Sequence, residues 1–401
     1  MANISTPRPF RVAISQDDVD RLNRLVQDTR LPERPFADDV SWSYGVDLDW
    51  LKNLRKEWVE NFDWKAVEAE MNKFSQFKVT IESVDVHYIH QRSDRADAIP
   101  LILLHGWPGS FWEFHKVVTP LTNPPAGLPA FHVVVPSLPG FGFSSPPPKQ
   151  EWGMDDNARI LDHLMTGVLG YQSYMAEAGD FGALVGMYFG SKEYPACKLL
   201  DICAIPANPT FGALLTLPFW LLPVSWRQWL YSKIYTEDER KGLSRVGQYL
   251  KNGLGYFVAQ TTRPLTVGYA LHDSPIGLLA WIGEKYQELV DPDILPEASH
   301  FILTTVSLYY LTGTFVTSTL PYHENTRSFS KTLRVVKPLG VSHFPYDCLN
   351  MPIGWIKSQH PNVVFHRYHT RGGHFPAFEV PELLVSDIRE LLVSQRSVFD
   401  Y

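Results

Sequence analysis

Cysteine is scarce. The three present, Cys197, Cys203 and Cys348, show no paired spacing, which excludes a disulfide framework and fits a reduced, cytoplasmic protein. No run of lysine and arginine stands out and the formal net charge is -7, so a nucleic-acid partner is not expected. Met1 to Arg11 is polar and broken by proline, with no apolar signal-peptide core. The longest apolar stretch, Phe211 to Val224, is interrupted by Pro218 and too short to span a bilayer. A soluble chain without a membrane anchor is expected. There is no internal repeat and no low-complexity tract; Pro146-Pro147-Pro148 is only a short stiff loop. Hydrophobic residues are plentiful at 45% against 20% charged, so 401 residues can bury a large core. That length suits one large α/β domain with insertions, or two domains.

Residues 1–75 read as a helical lead-in. Ser15 followed by Asp18 predicts a capped helix start, with Val19, Leu22, Leu25 and Val26 on one apolar face. A second helix is expected after Asp47, with Trp50, Leu54, Trp58 and Phe62 as its packing stripe. From Phe77 the period changes to two: Val79 and Ile81, then Val84, Val86 and Tyr88, predict two strands. Pro100–Leu104 and Phe131–Pro136 read as buried strands, Asn157–Leu169 as a helix, and Leu199–Ile205 as another strand. Strands alternating with helices imply a mainly parallel sheet covered on both faces. From 207 to about 330 the chain is helix-rich and aromatic, and reads as a helical cap inserted over the carboxyl edge of the sheet. Strands return at Arg334–Val341 and Asn362–Phe365, and a last helix at Pro381–Ser394. The expected division is 1–75 lead-in, 76–206 first part of the core, 207–330 cap, and 331–401 second part of the core.

The chemistry centres on Tyr174–Gly186. Ala178, Gly179 and Gly182 surround Asp180 with small residues, which lets a strained strand–turn–helix pack closely. That is the geometry of a nucleophile elbow, which usually carries serine and here carries aspartate. Partners are expected downstream, acid before histidine. Ser342-His343-Phe344-Pro345-Tyr346-Asp347 and Thr370-Arg371-Gly372-Gly373-His374-Phe375 follow the last two strands and supply both. Asp180, Asp347 and His374 then share the sheet edge where open α/β sheets bind ligands. Backbone N–H groups of Phe181 and of Trp107, in His105-Gly106-Trp107-Pro108-Gly109-Ser110, are the candidate oxyanion hole. An aspartate nucleophile is a poor choice for peptide or ester cleavage, since attack would give an anhydride. It suits displacement at an sp³ carbon, giving an alkyl ester that His374-activated water then opens, with Asp347 orienting the histidine. The leaving group must be an epoxide oxygen or a halide.

With these motifs the chain resembles an epoxide hydrolase of the microsomal type, over nearly its whole length. The resemblance implies an α/β-hydrolase fold with a mostly parallel eight-stranded sheet, helices on both faces, a helical cap and the N-terminal extension. It implies conversion of a small apolar or aromatic epoxide and water to a vicinal diol, with no metal and no organic cofactor. It also assigns two cap tyrosines to the opening epoxide oxygen, and the matching positions are Tyr256 in Gly255-Tyr256 and Tyr322 in Pro321-Tyr322-His323-Glu324-Asn325. With 18 tyrosines in the chain, spacing alone does not select them. The membrane anchor of the mammalian enzymes is missing, which points to a soluble microbial-type relative. A homodimer stays open.

Blander readings stand beside these. An aspartate in a glycine-rich turn is usually a turn former. His366 and His369 are an odd number apart on a strand and face opposite ways, so they make no metal site with His374; His87 and His90 fail likewise. Cys348 reads as a small buried residue. Two rival functions share the constellation. A haloalkane dehalogenase forms the same aspartyl ester but needs halide-binding N–H donors and no tyrosine pair. An inactive α/β-hydrolase acting as a ligand receptor would have lost a triad member, and none is missing.

Overall fold

A computed structural model describes residues 5–38, 40–208, 231–326 and 333–399. Nine strands form one sheet: β1 (Arg8–Phe10), β2 (Gln76–Ile81), β3 (Val84–Gln91), β4 (Ile99–Leu104), β5 (Phe131–Pro136), β6 (Tyr174–Ala178), β7 (Cys197–Ile202), β8 (Leu339–His343) and β9 (Val363–Tyr368), in the order β1-β2-β3-β5-β4-β6-β7-β8-β9. The first three run antiparallel to their neighbours and the remaining six are mutually parallel. The central parallel strands are buried on both faces, which is why Leu101–Leu104 and Val133–Val135 read as unbroken apolar runs, whereas the edge strand β9 is at most half-buried.

Among the described residues one strand more is present than expected. Arg8–Phe10, inside the stretch read as wholly helical, pairs with β2 through Phe10 and Gln76. Three residues with Pro9 in the middle carry no period-2 signal; only the free edge of β2 makes them a strand. The strand expected from Arg334 begins later, at Leu339. Pro338 has no N–H for a ladder, and the residues before it bond elsewhere: Val336 N–H to the Gly190 carbonyl at 3.0 Å and Val335 N–H to His360 Nδ1 at 3.1 Å. The last strand runs on to Tyr368 rather than ending at Phe365.

The lead-in helices form as their caps dictate. Ser15 Oγ accepts from Asp18 N–H at the start of Gln16–Asp28, and Asp47 accepts from Trp50 N–H at the start of Leu48–Glu60. The buried stripe of the second helix is Leu51, Leu54 and Trp58, not a strict fours ladder. A spacing of four drifts about 40° per step around a 3.6-residue helix. Trp50 is therefore half-buried, lying so close to Gly283 that a Cβ there would come within 2.5 Å of its ring. Phe62 lies past the helix end, edge-on to Trp58. Both helices pack on Pro275–Leu289 and Ser299–Thr312. Deleting residues 1–75 is expected to give insoluble protein, because it removes β1 and uncovers those helices. A soluble, active truncation, seen by gel filtration and turnover, would show the lead-in to be an independent module.

Phe219, Trp220, Trp226 and Trp229, in the aromatic part of the stretch read as the cap, and the apolar stretch Phe211 to Val224 lie outside the described residues. Among the described residues no single helix is long and apolar enough to cross a membrane.

Candidate active site

The chain turns sharply after β6. Asp180 opens the helix Asp180–Phe189 with φ 51°, a left-handed conformation that aspartate tolerates better than most residues. The turn is pressed against the end of β4. A Cβ on Gly182 would come 2.1 Å from the Leu104 carbonyl oxygen, and one on Gly106 would come 2.1 Å from Asp180 Oδ1. Gly182 and Gly106 are required because a backbone carbonyl and the Asp180 carboxylate occupy the space, whereas a Cβ on Gly179 would meet nothing within 4 Å.

Three further loops leave the same sheet edge and converge on this carboxylate. From the loop after β4, Trp107 N–H donates to Asp180 Oδ1 at 2.8 Å. From the loop after β9, His374 Nε2 lies 3.4 Å from Asp180 Oδ2. From the loop after β8, Asp347 Oδ1 accepts from His374 Nδ1 at 3.0 Å and from Leu349 N–H at 3.2 Å. Asn350 ties off that last loop by donating to the Phe344 carbonyl at 2.6 Å, and Tyr346 N–H bonds the Gly372 carbonyl of the histidine loop at 3.2 Å. Asp347 and His374 are buried, whereas a quarter of the Asp180 side chain, 26%, is exposed. The N–H of Phe181 belongs to the first turn of its helix, where it has no acceptor within the helix.

The electrostatics follow from this packing. Burial works against a charged His374 ring, but the Asp347 charge and hydrogen bonding to Asp180 and Asp347 outweigh it and hold the imidazolium well above its ordinary pKa. Burial pushes Asp347 upward, and the His374 charge and hydrogen bond more than reverse it. Cys348 sits beside them, its thiol pushed up to about 11 by burial. Ligand-type atoms of Asp347, Cys348 and His374 lie within 4.8 Å of one another. Both ring nitrogens already face carboxylates and the cysteine stays a thiol, a poor donor set for a metal. His87 is bonded to Ser137 and Gln76, His90 to Tyr171, and His369 to Asp387, so each has a structural partner.

The two tyrosines, 66 residues apart in sequence, roof the elbow. Tyr256, on Gly255–Thr262, stacks on Trp107 with centroids 5.1 Å apart and planes at 11°. Tyr322, on Leu320–Glu324, meets Phe181 edge-on at 4.7 Å and Trp107 at 5.7 Å. The two tyrosine rings are 5.8 Å apart. Burial, then the neighbouring Cys348 and Asp180, hold the Tyr256 phenol above its ordinary range; burial, then Tyr256 and Asp180, do the same for Tyr322. Both remain donors at neutral pH.

Several residues near the site carry no signal in the sequence. Tyr249 donates to the Tyr256 hydroxyl at 2.9 Å. Lys285, paired with Glu284 and Glu288, lies 4.6 Å over the Tyr256 ring. Glu113 reaches under Gly109, where a Cβ would come 2.0 Å from its Oε2. Burial pushes its carboxyl up to about 8, His374 lowers it and Asp180 raises it. Asp291 and Glu379 hold the histidine loop. Only the folded chain brings these residues to the site. A cavity of about 600 Å³ lined by Trp112, His115, Lys116 and Phe301 includes none of the three triad residues.

An aspartate elbow faced by a His–Asp pair under two phenols, on a sheet of this order, is the arrangement of an α/β hydrolase whose elbow carries a carboxylate. Residues 7–114 match the family described as epoxide hydrolase N terminus, and residues 99–237 match the alpha/beta hydrolase fold. Epoxide hydrolase 1 of Sus scrofa is 34% identical over 412 residues, covering 96% of this chain and 88% of that protein. The structure of Aspergillus niger epoxide hydrolase superposes with a TM-score of 0.84 at 36% identity, covering 97% of this chain and 96% of that one. Juvenile hormone epoxide hydrolase from Bombyx mori gives a TM-score of 0.86 at 28% identity, covering 100% and 96%. The chain belongs to the epoxide hydrolase family of the α/β-hydrolase fold, whose general mechanism passes through a covalent aspartyl ester.

Proposed function

We propose that Asp180 is the nucleophile of this epoxide hydrolase, and the observation that carries this is the division of labour between its two oxygens. Oδ1 is held by the Trp107 N–H at 2.8 Å and becomes the ester carbonyl; Oδ2 is the attacking atom. It displaces the ring oxygen from an epoxide carbon while Tyr256 and Tyr322 donate to that oxygen as it gains charge. The product is a hydroxyalkyl ester on Asp180. His374 then takes a proton from water, the hydroxide adds to the Asp180 carbonyl carbon, and the N–H groups of Trp107 and Phe181 stabilise the resulting oxyanion. Collapse expels the alcohol oxygen, which takes the proton from His374, and the new carboxylic acid loses its own proton, so a vicinal diol leaves and the carboxylate and the phenol are restored. Asp347 orients His374 and balances its charge.

The rings of Trp107, Phe181, Phe257, Tyr256 and Tyr322 pack on one another beside Asp180, which supports a small apolar or aromatic epoxide. The division into lead-in 1–75, core 76–206 with 331–401, and cap 207–330 belongs to this reading: nucleophile, acid and histidine come from the core segments and both phenols from the cap.

The tyrosine pair gives the test that separates epoxide opening from halide displacement. Tyr256→Phe and Tyr322→Phe are each expected to slow alkylation, and the double variant to lower it by about 10²–10⁴-fold, the usual worth of general-acid assistance. Rapid-quench measurement on an aromatic epoxide checks this. A double variant that keeps most of its alkylation rate would remove the phenols from the mechanism.

A further inference from the structure

The loop that presents His374 is fastened by two carboxylates that take no part in the bond changes above. Gly372 N–H donates to Asp291 Oδ2 at 2.8 Å. His374 N–H donates to the Leu289 carbonyl at 2.9 Å. Phe375 N–H donates to Glu379 Oε1 at 2.8 Å, and the other oxygen of Glu379 accepts from Asp291 N–H at 2.8 Å. The two carboxylates thus bracket the histidine, one holding the backbone two residues before it and the other one residue after. They are also joined to each other.

The origin of the bracket matters. Leu289 ends the helix Pro275–Leu289, and Asp291 follows two residues later, both within the stretch assigned to the cap; Glu379 lies on the short helix Pro376–Glu379 of the core. Gly373 sits where the two meet. A Cβ there would come 2.1 Å from the Leu289 carbonyl oxygen and 3.1 Å from each Glu379 oxygen, so the approach requires glycine. Asp291 and Glu379 are both buried, and their oxygens spend their accepting capacity on these N–H groups and on Asp293 N–H. Buried carboxyls are retained when such bonds satisfy them. Burial pushes Glu379 up to about 7, while the N–H donors of Asp291 and Phe375 and the His374 charge pull it back.

From this geometry we propose that Asp291 and Glu379 are positioning residues for the second half of the reaction, setting the His374 ring over the aspartyl ester and tying that setting to the cap. The inference rests on the two-step reading given above. Attack on the epoxide uses the Asp180 carboxylate and needs no base, so a slightly displaced imidazole leaves it intact. Activation of water needs a nitrogen, a water and a carbonyl carbon in line, and a misplacement of about 1 Å in such an arrangement costs about 10²-fold.

The experiment is a transient-kinetic comparison of wild type, Glu379→Gln and Asp291→Asn with an excess of styrene oxide as probe. Each substitution keeps the size of the side chain but turns an amide N–H₂ towards a backbone N–H. The expected result is an unchanged alkylation rate with ester hydrolysis slowed about 10²-fold. kcat and KM should fall together, and mass spectrometry at steady state should find most of the protein as an adduct on the Asp180 peptide. A merely structural role predicts something else: fewer active molecules, with alkylation amplitude and kcat falling together and no adduct. That outcome, hydrolysis at the wild-type rate, or insolubility of both variants would each overturn the proposal. If Glu379→Gln alone fails to fold, Asp291→Asn supplies the same readout. Failure of the underlying reading looks different, since wild type itself would then form no ester on Asp180.

Discussion

His374→Gln reacts once and stalls. Incubated with an epoxide, the variant is expected to gain the mass of the whole substrate, with the label on the peptide containing Asp180. Steady-state diol formation should fall by about 10²–10⁴-fold, the worth of general-base catalysis. In the resting enzyme His374 lies between Asp347 at 3.0 Å and Asp180 at 3.4 Å, and the pair of acidic neighbours favours the imidazolium. Alkylation makes Asp180 a neutral ester. One of the two charges that held the proton is gone, so the ring's pKa falls, it releases that proton to solvent, and it is left neutral and able to take one from water at the step that needs a base. A serine-type triad would behave otherwise, because its histidine is needed from the first step. Substrate consumed without an adduct, or an adduct on another residue, rejects the two-step scheme even if the wild type makes diol. A haloalkane would add its alkyl group without the halide, so the same spectrum distinguishes the two kinds of substrate.

Asp180→Asn is the second large effect. Diol formation in freshly purified protein is expected to drop by about 10⁴-fold or more, the scale on which loss of a nucleophile is felt. The fold should survive, because asparagine shares aspartate's tolerance of the left-handed conformation at φ 51° and can keep an acceptor for the Trp107 N–H. Activity that recovers over hours would reflect hydrolysis of the asparagine back to aspartate in a working site, and peptide mapping would show it. Full turnover in the fresh variant, with the substitution intact by mass, would sink the nucleophile assignment.

Much of this architecture was legible because the relevant signals are local. The apolar runs of β4 and β5, the capping residues Ser15 and Asp47, and the small residues around Asp180 each act over a few positions, and each element formed where its residues imply. Asp347 and His374 could be placed because parallel strands deliver the segments that follow them to one edge. The tyrosines could not be chosen by any such rule. Tyr256 and Tyr322 came from the family resemblance, and their meeting over Trp107 depends on how two separate helices fold back across the sheet. Arg8–Phe10 is a strand only because β2 offers it a free edge.

Sequence by itself determined the class of chemistry: a carboxylate on a tight turn, followed in order by an acid and a histidine, permits ester formation at carbon and little else. Tertiary structure decided which groups surround that carboxylate and in what state they are held. Asp291 is 81 residues from Gly372, whose N–H it accepts, and 88 from Glu379, which accepts from its own N–H. The reason is physical. Bond-making capacity belongs to a side chain and can be read from its identity, whereas burial, hydrogen-bond partners and the resulting proton affinities arise only when distant segments exclude water from the same small volume.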